Sequence, residues 1–264
     1  MNSVVDISWP ILGVFFSTLL VPLLINQYYQ LGIAKDTFIS ISRMTIQLIL
    51  IGIYLEYLFE LNNVGVNIAW LLVMTAIGSS AILDKAKLPK RRLFVPVSAG
   101  LLIGLAPMLA VICLVVVKPT PLYSAQYLIP LAGMLLGNSI GGNIVALQNF
   151  FTALQERAQE YEAAISLGAS PKYATLPFLR EAIQKSLAPN LASMATSGLV
   201  TLPGMMTGQI LGGANPIIAI KYQLMIMVAI FVMMSVSISI SLNLAIKTAI
   251  HPHGRVLIAP RKEE

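Results

Sequence analysis

"FVPVSAGLLIGLAPMLAVICLVVV", residues 94–117, carries no charged side chain. At about 1.5 Å of rise per residue, a helix of this length crosses the ~30 Å hydrocarbon core of a bilayer. Working outward, comparable runs occupy roughly 8–25, 37–58, 68–83, 127–150, 187–212 and 217–246. The chain of 264 residues is 57% hydrophobic and only 11% charged, with a mean hydropathy of +0.81. Soluble domains carry roughly 25% charged residues. The expectation is an all-α integral membrane protein of about seven transmembrane helices, forming one transmembrane domain over residues 1–264. The run at 68–83 is the shortest, at 16 residues.

The formal net charge of +6 could suggest a nucleic-acid partner, but its distribution speaks against one. With seven spans, Lys35, Arg43, Lys85, Lys87, Lys90, Arg91, Arg92, Arg157, Lys172, Arg180, Lys185, Lys247, Arg255, Arg261 and Lys262 fall on one side. Only Lys118 and Lys221 fall on the other. Short loops rich in Lys and Arg stay in the cytoplasm, so the N-terminus is expected outside and the C-terminus inside a multi-pass protein of the cell (inner) membrane. Trp9, Tyr28, Tyr29, Tyr57, Trp70, Tyr123 and Tyr127 lie near span ends, where amphipathic rings favour headgroups. Cys113 is the single cysteine, so no intramolecular disulfide is possible. The start around Asp6 lacks the basic region of a cleavable signal.

This topology leaves residues 151–186 as the one long cytoplasmic segment, and "EYEAAISLGASPKYATLPF" (160–178) is its centre. The fifth helix is expected to continue outward through "LQNFFTALQERAQEYEAAISL". Gly168 then suits a left-handed C-terminal cap. Ser170 suits an N-cap and Pro171 the first turn of a new helix.

Glu162, Ala163, Ala164 and Gly168 reproduce the E-A-A, three residues, G spacing of the EAA loop in ABC-transporter permeases. Pro177 follows the glycine by nine positions rather than the 13 or so usual in importers, which separates the chain from standard importer permeases. "SRMTIQLILIG", "IPLAGMLLGNSI", "SLGASPKYA" and "GLVTLPGMMTGQILGGANPIIAIKYQ" resemble a narrower group, the FetB-like permeases. That group is described as iron exporters, with plant relatives linked to aluminium tolerance. The resemblance implies a permease homodimer in membrane lipid. It also implies a separate ATP-binding subunit that holds ATP and Mg, and outward transport of iron. Glu162, Ala163, Ala164, Gly168, Ser170 and Pro171 would then form the coupling helix and corner that meet the ATPase. The residues agree on one point independently. No Gly-Lys pair exists in the chain, so it cannot build a P-loop and binds no nucleotide of its own.

Two small-residue ladders, Gly133, Gly137, Gly141 and Gly204, Gly208, Gly212, suggest close helix packing. They flank the related strings "GMLLGN" (133–138) and "GMMTGQ" (204–209). With ~1.5 Å per residue, Met134 and Met205 lie roughly 10 Å below the outer boundary. Asn138, Met206 and Gln209 lie near that level, and Gln47 is a similar amide in the second span, one helical turn from Arg43. Buried amides in hydrocarbon need a partner or a wet cavity. These six residues are therefore the expected translocation pathway, with Pro130 and Pro203 freeing backbone carbonyls beside them.

No His, Cys and carboxylate cluster with metal-site spacing occurs. His251 and His253 read as solvated tail residues, and Glu56 and Glu60 as interfacial carboxylates. Thioethers favour soft ions and Fe(II) prefers nitrogen and oxygen, so iron follows from the resemblance alone. An ABC permease for an organic solute or metal chelate is the alternative. An ion-coupled secondary transporter fits less well, because such carriers keep ionisable residues mid-membrane and the last three spans hold only Lys221, near an outer end.

Overall fold

The computed structural model describes residues 7–251 and 254–258; Asp6, His253, Arg261 and Lys262 lie outside the described residues. Helix α1 (Trp9–Phe16) passes through a tighter turn, Ser17–Leu19, into α2 (Leu20–Tyr28). The 28-residue α3 (Ala34–Leu61) ends where Asn62 turns left-handed at φ 36°. Asn63 then starts α4 (Val64–Lys85), its side-chain oxygen accepting from the Gly65 and Val66 N–H groups. This cap explains why the third span is longer than the expected 68–83. Helix α5 (Lys90–Val111) widens into a π turn at Ile112–Val117 and stops at left-handed Lys118. The 32-residue α6 (Ala125–Glu156) follows, then α7 (Ala158–Ser166), α8 (Pro171–Ala174), α9 (Leu176–Thr196), α10 (Gly204–Leu211) and α11 (Pro216–Ala249).

Among the described residues, six helical stretches are long and apolar enough to span a bilayer: Trp9–Tyr28, Ala34–Leu61, Val64–Lys85, Lys90–Val117, Ala125–Glu156 and Pro216–Ala249. The sixth expected span, 187–212, is two helices, α9 and α10, separated by Ser197–Pro203. Ser197 is extended, Gly198 has φ +87° and Pro203 is extended as the N-cap of α10. Proline offers no N–H to the preceding turn, and a left-handed residue cannot continue a right-handed helix.

Helix α11 is the hub. It runs antiparallel to α5: a Cβ at Gly104 would lie 2.9 Å from the Met233 carbonyl, and one at Gly100 would lie 2.8 Å from the Ser237 carbonyl. Those two glycines let the backbones meet where lipid supplies no hydrophobic drive, the packing logic of small residues in membranes. On the other flank of α11, the buried Asn143 of α6 donates to Ser237 Oγ (2.9 Å) and to the Ser139 carbonyl (2.9 Å). Helix α4 runs parallel to α6, with the Asn67 amide donating to the Tyr123 carbonyl at one end and Gln148 to the Lys85 carbonyl at the other. Of the N-terminal spans, α3 meets this bundle at its end, where the Tyr54 and Trp70 rings lie 4.6 Å apart and Asn62 Oδ1 accepts from the Ala125 N–H at 3.0 Å. No residue of α1 or α2 is buried, and α3 buries Leu58 alone, against Ala125 and Ile129.

The expected helix-packing ladders sit elsewhere than at these close approaches. Gly137, Gly141, Gly204 and Gly208 have no neighbouring atom within 4 Å of a Cβ position, and Gly133 meets only the end of Met74. Gly100→Val and Gly104→Val should therefore lower the stability of the purified chain by about 1–3 kcal/mol or more through overpacking against backbone. Gly137→Val and Gly141→Val should leave it within about 0.5 kcal/mol. Thermal unfolding in detergent, compared across the four variants, checks this contrast.

Candidate functional site

The segment between α6 and α9 is built by local chemistry that the sequence announces, plus one joint that it does not. Helix α6 ends at Glu156, and Arg157 takes φ −108°, ψ 34° before α7 begins. The expected continuous helix is therefore bent at Arg157. Its guanidinium fixes the bend, with Nε donating to Glu160 Oε1 at 2.9 Å and Nη1 to Glu181 Oε2 of α9 at 3.2 Å. The guanidinium carbon also lies 4.9 Å from the centre of the Phe178 ring, within cation–π range.

Helix α7 closes with the Ala169 N–H donating to the Ala164 carbonyl and the Gly168 N–H to the Ile165 carbonyl. Gly168 holds φ +90°, which is the left-handed helix stop. The Ser170 side chain then accepts from the Tyr173 N–H at 3.3 Å, and Pro171 opens α8. Glu162 and Ala163 are exposed on α7 and Ala164 is half-buried. Two apolar side chains flank the corner in full view, Leu167 at 90% exposure and Tyr173 at 72%. Sequence reasoning passed over both, because nothing in their spacing distinguishes a protruding apolar residue from a buried one.

All these groups lie at the end of the bundle that also carries the loop between α4 and α5, where Lys90 pairs with Asp84 at 2.6 Å. The Gln148–Lys85 and Arg157–Glu181 contacts tie the basic loops into that one end. Lys118, which ends the π turn of α5, lies at the opposite end.

The expected pathway residues are divided. On α6, Asn138 is exposed and its amide donates to the Met134 carbonyl at 2.8 Å. On α10, which rests mainly against α11, Met205 packs on the core. Met206 is half-buried, and Gln209 Oε1 is buried without a hydrogen-bond partner. Gln47 is exposed on α3, as is Arg43. Glu56 and Glu60 are exposed at the far end of α3, and Cys113 is buried within the π turn of α5. Among the described residues there is no group of three or more His, Cys, Asp or Glu able to hold a metal ion.

Residues 9–250 match the uncharacterised protein family UPF0014. The chain is 31% identical over 226 residues to the UPF0014 membrane protein slr1647 of Synechocystis, spanning 86% of this chain and 87% of that protein. It is 33% identical over 208 residues to the protein ALUMINUM SENSITIVE 3 of Arabidopsis thaliana, spanning 79% and 75%. It is also 33% identical over 208 residues to the probable iron export permease protein FetB of Escherichia coli, spanning 78% of each. No solved structure matches it. The chain is a multi-pass membrane protein, and it belongs to the UPF0014 family, the FetB-like group that its motifs resemble.

Charge at the Arg157 joint has a defined pH response. The hydrogen bond from Arg157 holds the Glu160 carboxyl below its ordinary value, and the bond from Lys185, then the charges of Lys185 and Arg157, do the same for Glu181. A carboxyl depressed in the folded state stabilises above its unfolded pKa, and that contribution is lost as pH falls through the folded value. Backbone exchange at the joint, corrected for intrinsic rates, should stay constant from neutral pH down to the ordinary carboxylate value of 4.5 and accelerate only below it. Acceleration between pH 7 and 5 would show that the pairing does not hold the bend.

Proposed function

We propose that this chain is the membrane-spanning permease subunit of an ABC transporter that exports iron or a related metal species. ATP, with Mg, is held and hydrolysed on a separate subunit. The observation that carries the reading is the solvent-facing corner of α7, Gly168 and α8, with its EAA-type residues. It occurs in a chain 33% identical to a protein named as a probable iron export permease.

In this reading the basic end of the bundle faces the cytoplasm, as positively charged loops do, and α7 is the coupling helix. Glu162, Ala163 and Ala164 form its docking face, while Ser170 and Pro171 hold the second limb of the corner rigid. Tyr173 supplies the anchor, a residue type enriched at interface hot spots, and Leu167 adds apolar contact beside it. The enzyme activity resides in the partner and the permease moves the cargo.

A second copy of the chain completes the permease. The open glycine faces of α6 and α10 are the surfaces that two copies can bring together, and the exposed amides of Asn138 and Gln47 would then leave lipid for a protein-lined passage. Met134, Met205, Met206 and Gln209 line the same passage. Thioethers and amides bind a metal ion weakly, which suits a route that must release its cargo. The assembly belongs to the inner, or cell, membrane.

Two variant sets test the reading, with the ATP-binding subunit identified by co-purification with the wild-type chain. Ala164→Trp overfills the docking face, and Gly168→Val places a β-branched residue at positive φ. Both should insert normally, lose co-purification of the ATPase and abolish metal efflux from cells. Asn138→Leu with Met205→Leu keeps approximate volume and should cost less than ~1.5 kcal/mol of stability. That pair should retain the ATPase and lose metal-stimulated ATP hydrolysis. Wild-type efflux in all of these variants would overturn the proposal.

A further inference from the structure

The end of α11 does not trail away from the bundle; it turns back and grips α7. After the helix stops at Ala249, Ile250 pairs in antiparallel fashion with Val256. The Leu257 N–H donates to the Ala249 carbonyl at 2.7 Å, the His251 N–H to the Arg255 carbonyl at 2.9 Å and the Gly254 N–H to the His251 carbonyl at 2.8 Å. Ile250 and Ile258 are buried at 5% and 4% exposure. The segment is thus anchored in the core at both ends of its turn.

Its contact with α7 is specific in shape and in polarity. The Tyr161 hydroxyl, buried with the rest of its ring, donates to the Gly254 carbonyl at 2.8 Å. Gly254 has φ +87°, and a Cβ there would lie 2.9 Å from the Ile165 side chain. Two residues of α7 therefore close on a single glycine, one by hydrogen bond and one by steric fit. Beside this contact α7 and the returning segment border a cleft of about 730 Å³, lined in part by Phe151, Leu154, Glu162 and Arg255. The inner side of α7 is therefore not packed solid. Closely packed interiors resist displacement, whereas a short helix beside a cleft, held by the Arg157 joint and this contact, can shift as a unit.

We propose that residues 254–258 are a strap that joins α7 to α11, with Tyr161 as its positioning residue. Displacement of α7 passes through Tyr161 and Gly254 to the end of α11, and along α11 to the close glycine contacts with α5. The strap is a second connection, independent of the bend at Arg157 that links α7 to α6. What displaces α7 rests on the reading of that helix as the ATPase contact; the mechanical link itself does not.

Hydrogen exchange of the full chain in lipid nanodiscs, without any partner, tests the link. Tyr161→Phe removes only the hydroxyl, and Gly254→Ala introduces only the forbidden Cβ. Each should speed exchange at least tenfold in α7 and also in the last turn of α11 (246–249), with α4 unchanged. The double variant should add little to either single one, because one contact is broken twice. Faster exchange confined to α7, with the end of α11 unmoved, would overturn the strap. In the assembled transporter both variants should retain the ATPase and lose at least tenfold in metal-stimulated ATP hydrolysis. Unchanged stimulation would likewise overturn it. Failure of the wild-type chain to hold an ATPase would refute the proposed function instead, and the nanodisc measurement would still decide the strap.

Discussion

Two helices in a bilayer gain nothing from hiding apolar surface from each other, because lipid is as apolar as they are. The contact of α5 with α11 answers that constraint by letting backbone touch backbone at Gly100 and Gly104. Everything else in the bundle is registered against it. Asn143 reaches Ser237 from the second flank of α11, and α4 is pinned to α6 by amides at both of its ends. The buried hydroxyls and amides cost little where they are paired, and their directionality sets one register where apolar packing alone would permit several.

The contrast with the N-terminal spans follows from the same constraint. Helices α1, α2 and α3 have no glycine packed against the bundle, and α3 touches it near its end through Leu58, flanked by Tyr54, Leu55 and Phe59. Most of their surface is exposed in the single chain. A chain so divided has one part whose geometry is dictated internally and another whose geometry is settled by whatever lies beside it in the membrane.

What the sequence disclosed and what it withheld divide along the range of the forces involved. Gly168, Ser170 and Pro171 act on their own neighbours, so the corner after α7 was readable from four or five residues. The spans were readable because length and apolarity are local sums. The break at Ser197–Pro203 was not, although Gly198 and Pro203 are both visible, since a hydropathy count does not register one interruption in a long apolar run. Gly100 and Gly137 look alike in sequence; only the rotation of each helix about its axis, set by distant partners, decides which one meets backbone. Tyr161 and Gly254 are 93 positions apart, and no periodicity connects them. Arg157 was legible as a charge but not as a joint, because its partner Glu181 belongs to another helix.

Length itself has a mechanical meaning. At ~1.5 Å per residue, the 32 residues of α6 and the 34 of α11 extend about 48 and 51 Å. A bilayer core absorbs ~30 Å of that. Both helices end on the side of the bundle that bears Arg157 and Gly254. A long rod is also a lever. Rocking a ~51 Å rod by about 5° about one end carries its tip through roughly 4 Å, about the reach of one side chain. Small rotations at one end of such a rod and large excursions at the other are thereby the same motion, seen at two radii.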